Sequence, residues 1–237
     1  MILLVDADSM IFASCYRRKE HPDDNPFYEN LADAIHKFDE TYQKIVNDIE
    51  ELYVVDSVLT FNGSRGNFRK HLTKKYKANR ISQPKPPLLS QMHKYCTDTY
   101  EGINGSGVET DDLVATYWHK IARDSGRDSV MIVSIDKDYK QFPALIYNYG
   151  FKHRCVYDIS EEEARYNFYE QMIAGDTADN VNYFKGKGVA FSKKYYEGCV
   201  TEYQYRRKLF QLFKSQYKSK AREKYIQCYS LLKLKIL

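Results

Sequence analysis

The chain has 237 residues, a formal net charge of +4 and 43% hydrophobic residues, which suits one large globular domain or a core with a smaller lobe. No segment has the apolar length of a membrane span, and the N-terminus is too short and too acidic for a secretory signal. These features exclude an integral membrane protein and predict a cytoplasmic one that makes no membrane contact.

The five cysteines are scattered along the chain, and none has the spacing of a zinc site. An odd number of scattered cysteines is typical of free thiols in a reducing compartment. We expect Cys15 to be a small buried hydrophobic residue rather than a reactive thiol.

The first half of the chain alternates predicted strands and helices. Short apolar runs predict strands at residues 2–6 and 54–61, and the second is followed by a loop at residues 62–67. Helices are predicted in this half at residues 30–52, 68–78 and 88–96. Prolines interrupt the chain between the second and the third of these helices.

The second half continues this alternation and then becomes helical. Further strands are predicted at residues 130–135 and 144–148, and a helix at 161–173 begins with a capping box of Ser160 and Glu163. From about residue 174 a glycine-containing loop leads to a basic, helical stretch at 202–235. We therefore predict an α/β fold in which helices flank a parallel central sheet, with a helical C-terminal portion.

Four separated segments carry clustered carboxylates. Asp6 and Asp136 each follow a predicted parallel strand, so both should lie at the same edge of the sheet. Carboxylates that converge repel one another and need cations, and their oxygen atoms favour Mg²⁺ or Mn²⁺, which in pairs cleave phosphodiesters. The acids are Asp6 and Asp8; Glu109, Asp111 and Asp112; Asp136 and Asp138; Asp176 and Asp179.

Two of these segments have a simpler interpretation. Glu109, Asp111 and Asp112 stand where a helix begins, and acids at a helix N-terminus are often only caps, which is the better interpretation for that segment alone. The pair Asp176 and Asp179 has the same ambiguity. For Asp136 and Asp138 we find no structural need for two acids. The four segments together favour a metal site.

Basic residues are concentrated in two stretches. No Asp or Glu occurs from Ser57 to Thr97, and a second basic stretch runs from Arg206 to Lys224 with only one acid. An acid-free basic segment beside an acidic cluster suits a polyanion. Tyr76 within the first stretch is a candidate for stacking on a base, with packing as the alternative.

A glycine-containing turn follows the last acidic pair. Gly186 and Gly188, followed by Lys193 and Lys194, could bring backbone N–H groups close to a phosphate. A plain turn is the alternative, because a lone G-x-G is weak evidence.

In combination these motifs resemble the 5′ nucleases, which comprise flap endonucleases, 5′-exonuclease domains of bacterial DNA polymerases and phage 5′–3′ exonucleases. The matching segments occur in the family's order over residues 2 to about 194. The segments are LLVDADS, FNGSRGNFRKHLTKKYKANR, VETDDLV, VSIDKDYKQF, and GDTADN followed by GKG.

The resemblance implies a PIN-like core at residues 1–173, with a basic gateway at about 62–97 that admits the single-stranded 5′ end. Residues 174–237 would form a DNA-binding portion that resembles a helix-hairpin-helix element, followed by C-terminal helices. It also implies a monomer acting on DNA with a free 5′ end, in a bacterial cytoplasm or that of a phage-infected host.

The resemblance further assigns residues to roles. Two Mg²⁺ ions, replaceable by Mn²⁺, would be held by eight acids, and K⁺ is a further candidate at the hairpin. The implied metal ligands are Asp6, Glu109, Asp111, Asp112, Asp136, Asp138, Asp176 and Asp179. The implied DNA contacts are Arg65, Arg69, Lys70, Tyr76, Lys77, Arg80, Gly186, Gly188, Lys193 and Lys194.

The chain departs from the family pattern at Asn62, where many members have aspartate, so we expect one negative charge fewer in the site and weaker binding of one metal. The hairpin is also a loose version of the usual form.

The predicted activity is hydrolysis of a DNA phosphodiester near a 5′ end. Asp136 and Asp138 would hold metal with Glu109 and Asp111, while the basic residues Lys77 and Arg80 would stabilise charge on the scissile phosphate.

Two alternatives stay open. The chain could be a PIN-type ribonuclease, or an RNase H-like enzyme that cuts the RNA of an RNA–DNA hybrid. It could also bind DNA without cutting it, for which Asn62 is the only support.

Overall fold

A computed structural model describes residues 1–17, 21, 24–64, 66–150 and 154–237. Its centre is a five-stranded sheet in which the strand order is β2-β1-β3-β4-β5. The strands are β1 (Ile2–Asp6), β2 (Ser57–Phe61), β3 (Val130–Val133), β4 (Leu145–Asn148) and β5 (Cys155–Asp158).

The first four strands are parallel, and β5 runs antiparallel to β4 at the edge of the sheet. The predicted α/β class is thus confirmed, but the sheet is mixed rather than wholly parallel. Because β5 is exposed at both ends and ends in Asp158, it lacks the apolar run that marks the other strands.

Helices cover both faces of the sheet and form the C-terminal portion. They are α1 (Asp8–Ser14), α2 (Leu31–Glu50), α3 (Arg69–Leu72), α4 (Leu89–Thr99), α5 (Thr110–Ser125), α6 (Glu161–Ala174), α7 (Val189–Tyr195), α8 (Glu202–Tyr217) and α9 (Ala221–Leu232). Short 3-10 helices lie at Ala78–Arg80, Arg127–Ser129, Lys137–Gln141 and Lys218–Lys220.

Most predicted helices are confirmed within a few residues, including the capping box of Ser160 and Glu163. The helix predicted at 68–78 is wrong beyond α3. The chain becomes extended at Thr73, and Lys77 has a left-handed φ of 52°. The backbone N–H of Lys77 donates to the carbonyl of Asp179 instead of to its own helix, so a tertiary contact overrides local propensity.

Three hydrophobic clusters hold the fold together. Leu3 and Val5 of β1 point to the face covered by α1, α2 and α4, whereas Leu4 points to the face covered by α5. The third cluster joins α6, α7, α8 and α9. Helix α6 contributes Ala164 to a sheet cluster and Phe168 to the C-terminal cluster, so the division at residue 173 stays a prediction.

Cys15, Cys96, Cys199 and Cys228 are free thiols, as predicted, and are buried, whereas Cys155 is exposed. Burial raises the pKa of the Cys15 thiol, which agrees with an unreactive side chain. Among the described residues, none of the helices combines the length and the apolar character that crossing a bilayer requires.

Candidate functional site

An acidic cleft of about 200 Å³ lies at the carboxyl edge of β1 and β3. All four predicted acidic segments reach it, because the strand ends, the start of α5 and the loop after α6 meet at this edge. Eight carboxylates and three basic side chains line the cleft. They are Asp6, Asp8, Glu109, Asp111, Asp136, Asp138, Asp176 and Asp179, with Lys77, Arg80 and Lys137.

Asp6 is a buried acid at the end of β1 in the cleft. It is only 6% exposed, and its Oδ2 accepts a hydrogen bond of 2.8 Å from the hydroxyl of the buried Tyr139. Burial and repulsion from Asp8 raise the pKa of Asp6 to about 7. Tyr139 therefore fixes a carboxylate that would otherwise be forced apart from its neighbours.

Asp136 and Asp138 are held by a short local network after β3. Asp136 accepts from the backbone N–H of Asp138 at 2.8 Å and so caps the 3-10 helix at Lys137–Gln141. Asp138 accepts from the side-chain amide of Gln171 on α6 at 2.7 Å. Asp136 thus has a structural role that the sequence did not show. Burial, with repulsion from Asp136 and Asp176, raises the pKa of Asp138 to about 7.

Glu109 at the start of α5 is surrounded by partners. Its carboxylate accepts from Lys77, from the Tyr76 hydroxyl at 2.7 Å and from Arg69 at 2.9 Å. Burial opposes its ionisation, but Lys77 and these other donors outweigh it and lower the pKa of Glu109. Asp111 has the opposite behaviour, because burial and repulsion from Glu109 raise its pKa well above the usual value.

Tyr76 does not lie where a base could stack on it. Its side chain is 5% exposed and packs into the C-terminal hydrophobic cluster, while its hydroxyl also lies 2.7 Å from Asp179. The packing alternative is therefore the one that the structure supports.

Arg69 and Asp112 form a buried ion pair outside the cleft. The guanidinium binds both carboxylate oxygens of Asp112 at 2.7 Å and donates to the carbonyls of Leu231 and Lys233. Arg69 is 1% exposed and Asp112 is fully buried. This placement argues against Arg69 as a DNA contact and against Asp112 as a metal ligand, because their polar atoms are already bonded and shielded from solvent.

The loop after α6 brings the last two acids to the cleft. Asp176 accepts from the backbone N–H groups of Ala178 and Asp179 and pairs with Lys137 at 2.9 Å. Burial opposes its ionisation, but Lys137 and these N–H groups lower the pKa of Asp176. Asp179 pairs with Arg80 at 2.8 Å and lies 3.6 Å from Lys77.

The donor chemistry of the cleft fits hard divalent cations. Within the described ranges, no three His, Cys, Asp or Glu side chains stand together in a metal-binding arrangement. Several carboxylates are instead turned towards Lys77, Arg80 and Lys137. Even so, eight acids face only three bases, and the raised pKa values of Asp6 and Asp138 show that this charge is poorly balanced. An all-oxygen site with excess negative charge suits Mg²⁺ or Mn²⁺.

Asp8 is a cleft residue that our assignment of metal ligands left out. Its carboxylate accepts from the backbone N–H of Gly63 and from the Thr110 hydroxyl, both at 2.7 Å, so it links three segments of the cleft. The spacing of Asp6 and Asp8 after a strand could have indicated this position. No sequence signal marks Lys137, Tyr139 or Gln171, since their roles depend on tertiary neighbours.

Asn62 lies outside the acidic cleft. Its amide donates to the carbonyl of His93 at 2.8 Å, and it lines a separate cavity of about 810 Å³ beside α4. The expectation that Asn62 removes a charge from the metal site is therefore not supported.

Lys70, Gly186, Gly188, Lys193 and Lys194 do not line the acidic cleft. Lys70 is exposed and lines an adjoining cavity of about 310 Å³ with Lys77 and Arg80. Gly186 has a left-handed φ of 77°, and Gly188 immediately precedes α7. Lys193 and Lys194 are exposed on α7. Arg65 lies outside the described residues.

Comparison with known proteins gives the family of this chain. The family model for the 5′-3′ exonuclease, N-terminal resolvase-like domain, matches residues 1–168. The chain belongs to this family. The resemblance drawn from the motifs is confirmed.

Curated relatives of this 5′-3′ exonuclease family member include two proteins named 5′-3′ exonuclease, from two strains of Buchnera aphidicola. One, from the Schizaphis graminum subspecies, is 24% identical over 193 residues, which cover 76% of this chain and 64% of the relative. The other, from the Acyrthosiphon pisum subspecies, is 26% identical over 153 residues, covering 58% and 52%. The matches span less than two thirds of these relatives.

Solved structures of bacteriophage T5 proteins share the fold of this family member. The T5 D15 protein crystallised with metal ions has a TM-score of 0.66 at 17% identity, covering 99% of this chain and 90% of that one. A T5 flap endonuclease in a complex with DNA and metal ions has a TM-score of 0.62 at 14% identity, covering 98% of each. At such identities the likeness establishes the fold alone.

Proposed function

We propose that the chain is a metal-dependent 5′–3′ exonuclease and flap endonuclease that hydrolyses DNA phosphodiesters near a 5′ end. The observation that carries this proposal is the acidic cleft, in which carboxylates from four segments outnumber the basic residues. Support comes from family membership, from relatives named 5′-3′ exonuclease, and from a T5 neighbour bound to DNA and metal ions.

The cofactor in this proposal is Mg²⁺, as two ions, with Mn²⁺ as a substitute. Asp6, Asp111, Asp136 and Asp138 would hold the ions, because their pKa values are raised and none of them forms an ion pair among the described residues. When bound, such ions neutralise phosphate charge and lower the pKa of water. Tyr139 and Gln171 would keep Asp6 and Asp138 in place.

Lys77 and Arg80 would position and stabilise the scissile phosphate. Lys77 is mostly buried in the cleft wall against Glu109, whereas Arg80 is half-exposed at the rim against Asp179. These two cations are fixed beside the carboxylates, and the phosphate would be held next to them during attack. The Tyr76 hydroxyl, which contacts both Glu109 and Asp179, would hold the carboxylates that orient these two cations.

The surrounding surface would guide the substrate. The gateway at about residues 62–97, with Lys70 beside the cleft, would admit the single-stranded 5′ end. The turn at Gly186 and Gly188, with Lys193 and Lys194, would contact the duplex backbone, with K⁺ as a candidate ion. We keep the domain division at residue 173 and a monomeric state as parts of this proposal.

DNA is the favoured substrate over RNA or an RNA–DNA hybrid, since a related fold has been seen in complex with DNA. The non-cleaving alternative loses its only support, because Asn62 lies outside the cleft.

The direct test uses a 3′-labelled DNA duplex with a flapped or recessed 5′ end in Mg²⁺. We expect the wild type to shorten it from the 5′ end, and Asp138→Asn, which can still accept from Gln171, to lose about 10²–10³-fold in rate. Asp128→Asn is the matched control, because this aspartate is exposed and remote from the cleft lining. DNA that is bound but not cut by the wild type in Mg²⁺ or Mn²⁺ would overturn the proposal. If RNA or an RNA–DNA hybrid were cut faster than DNA, that molecule would be the preferred substrate instead.

A further inference from the structure

The connection between α8 and α9 carries basic residues that do not line the acidic cleft. We call residues 217–224 the basic hairpin. Lys218, Lys220 and Arg222 are exposed there, and none of them forms an ion pair with any residue that the structure describes. The neighbouring acid, Glu223, pairs with Lys224 at 3.0 Å and is the only acid from there to residue 237.

Two other basic residues of the C-terminal portion have structural partners. Arg206 lies 3.5 Å from Glu202 one turn earlier in α8. The ammonium of Lys208 donates to the carbonyls of Tyr195 and Glu197 at 2.9 and 3.1 Å, so it joins α8 to the end of α7. These two cations help to hold the fold together, whereas Lys218, Lys220 and Arg222 face solvent.

The basic hairpin is fixed in position relative to the cleft. The Tyr217 hydroxyl donates to the carbonyl of Tyr183, whose own hydroxyl donates to Gln227 at 2.8 Å. Gln227 in turn donates to the carbonyl of Leu72 in the gateway at 2.9 Å. The Phe213 and Tyr217 rings stack with centroids 5.8 Å apart, which anchors the end of α8. These contacts tie the end of α8 and the helix α9 to the loop that follows Asp179 and to the gateway.

A groove of about 260 Å³ lies between the basic hairpin and the cleft wall. Lys75 and Asn180 line it from the wall side, and Tyr217 and Lys224 line it from the hairpin side. Asn180 donates to the carbonyl of Lys75 at 2.9 Å, and their chain neighbours Lys77 and Asp179 face the cleft. Two short segments, residues 75–77 and 179–180, therefore separate the cleft from the groove.

We propose that the basic hairpin binds the sugar-phosphate backbone of duplex DNA whose 5′ end lies in the cleft. This contact is distinct from the turn at Gly186 and Gly188, and it rests on the proposed function. Exposed, unpaired Lys and Arg side chains without a pocket for a base suit backbone phosphates and carry no sequence preference. The hairpin would thus lengthen the duplex footprint and hold the substrate while its 5′ end is cut.

The test compares two triple variants that remove the same charge, both in the slow-cutting Asp138→Asn background so that DNA stays intact. One changes Lys218, Lys220 and Arg222 to glutamine. The control changes Lys44, Lys120 and Arg123 to glutamine, since these are exposed on α2 and α5 and line neither the cleft nor the groove. Fluorescence anisotropy would give the dissociation constant for a recessed duplex between about 50 and 200 mM salt.

Each phosphate contact steepens the salt dependence of log K by about 0.9, so three contacts change the slope by about 2.7. We expect the parent to lose about 40-fold more affinity than the hairpin variant over that salt range. The control variant should keep the parent slope, and a short single-stranded 5′ oligonucleotide should bind the parent and the hairpin variant equally.

Equal slopes for the parent and the hairpin variant would overturn the inference, as would an equal loss in the control variant. Failure of the proposed function would look different, because the wild type would then not cut the 3′-labelled duplex at all.

Discussion

Two sets of ion pairs are formed by gateway cations between residues 69 and 80, and they share Glu109 as a partner but differ in burial. Arg69 is buried, and its guanidinium forms a bidentate ion pair with both carboxylate oxygens of Asp112. Lys77 and Arg80 meet Glu109 and Asp179 at the surface of the acidic cleft. The first pair is closed to any ligand, whereas the second can exchange partners. Burial and saturation of hydrogen bonds, rather than residue type, therefore separate a cation that holds the fold together from one that can meet a substrate.

Removing the buried cation should have the largest effect on stability. Arg69→Met leaves Asp112 charged and buried, and we expect it to lower the free energy of unfolding by about 3–5 kcal/mol. Urea denaturation would measure the loss. Adding Asp112→Leu should restore a large part of the stability, because no unpaired charge then remains. An Arg69→Met protein of wild-type stability with weakened DNA binding would reverse the roles that we assign.

The opposite pattern is expected at the cleft. Lys77→Met should lower kcat/KM for a 5′-flapped duplex by about 10²–10³-fold, since it removes positive charge from the scissile phosphate. Its unfolding free energy should change far less than that of Arg69→Met. Lys74→Met, an exposed neighbour that lines neither cleft nor groove, is the matched control. Equal losses from Lys74 and Lys77 would mean that only bulk charge matters.

The poorly balanced acids predict an unusual pH dependence for the metal-free protein. Asp6 and Asp138 have pKa values raised from 3.8 to about 7, so between these values the folded chain binds more protons than the unfolded chain. Their contribution to stability is therefore lost as pH rises through this window. The lowered pKa values of Glu109 and Asp176 act the other way, and only near the ordinary carboxyl range.

Melting temperatures measured in a chelator between about pH 5 and pH 7.5 would test this dependence. Asp138→Asn should make the fall with pH shallower, while Asp128→Asn should leave it unchanged. A profile that is identical in Asp138→Asn and wild type would contradict the raised pKa of Asp138.

The smallest expected effect concerns Tyr76. Tyr76→Phe removes the hydroxyl that contacts Glu109 and Asp179 but keeps the ring in the hydrophobic cluster. We expect a loss of about 0.5–1.5 kcal/mol in unfolding free energy, together with a several-fold decrease in cleavage rate. Urea denaturation and the initial cleavage rate are the measurements. A Tyr76→Phe protein with wild-type stability and wild-type rate would contradict the bonding that we assign to the hydroxyl.

Sequence patterns predicted what depends on local periodicity and on strand ends. The four parallel strands were recognisable as apolar runs, and the placement of Asp6 and Asp136 after two of them indicated a shared edge. The edge strand β5 was missed because both its ends are exposed and it has no continuous apolar run. The positions of the strand ends also predicted where the cleft lies.

What could not be predicted depends on tertiary partners. The basic run from residue 65 to 94 looks uniform in sequence, yet Arg69 turns inward to Asp112 while Lys77 turns to the cleft. Asn62 follows a strand just as Asp6 ends one, but its amide is taken by the carbonyl of His93. The helix predicted at 68–78 fails because Lys77 bonds to the loop at Asp179. Each outcome was decided by a partner about 30 or more residues away in the chain.

The measurement that tests the account most directly is the initial rate of 5′-end cleavage of a flapped DNA duplex as Mg²⁺ is titrated into chelator-treated protein. We expect no cleavage in the chelator, a saturable rise with Mg²⁺, and an Asp138→Asn protein that stays about 10²–10³-fold slower at saturation. A rate that is the same with and without divalent cation, or that Asp138→Asn leaves unchanged, would contradict the central claim that the acidic cleft is a metal-dependent nuclease site.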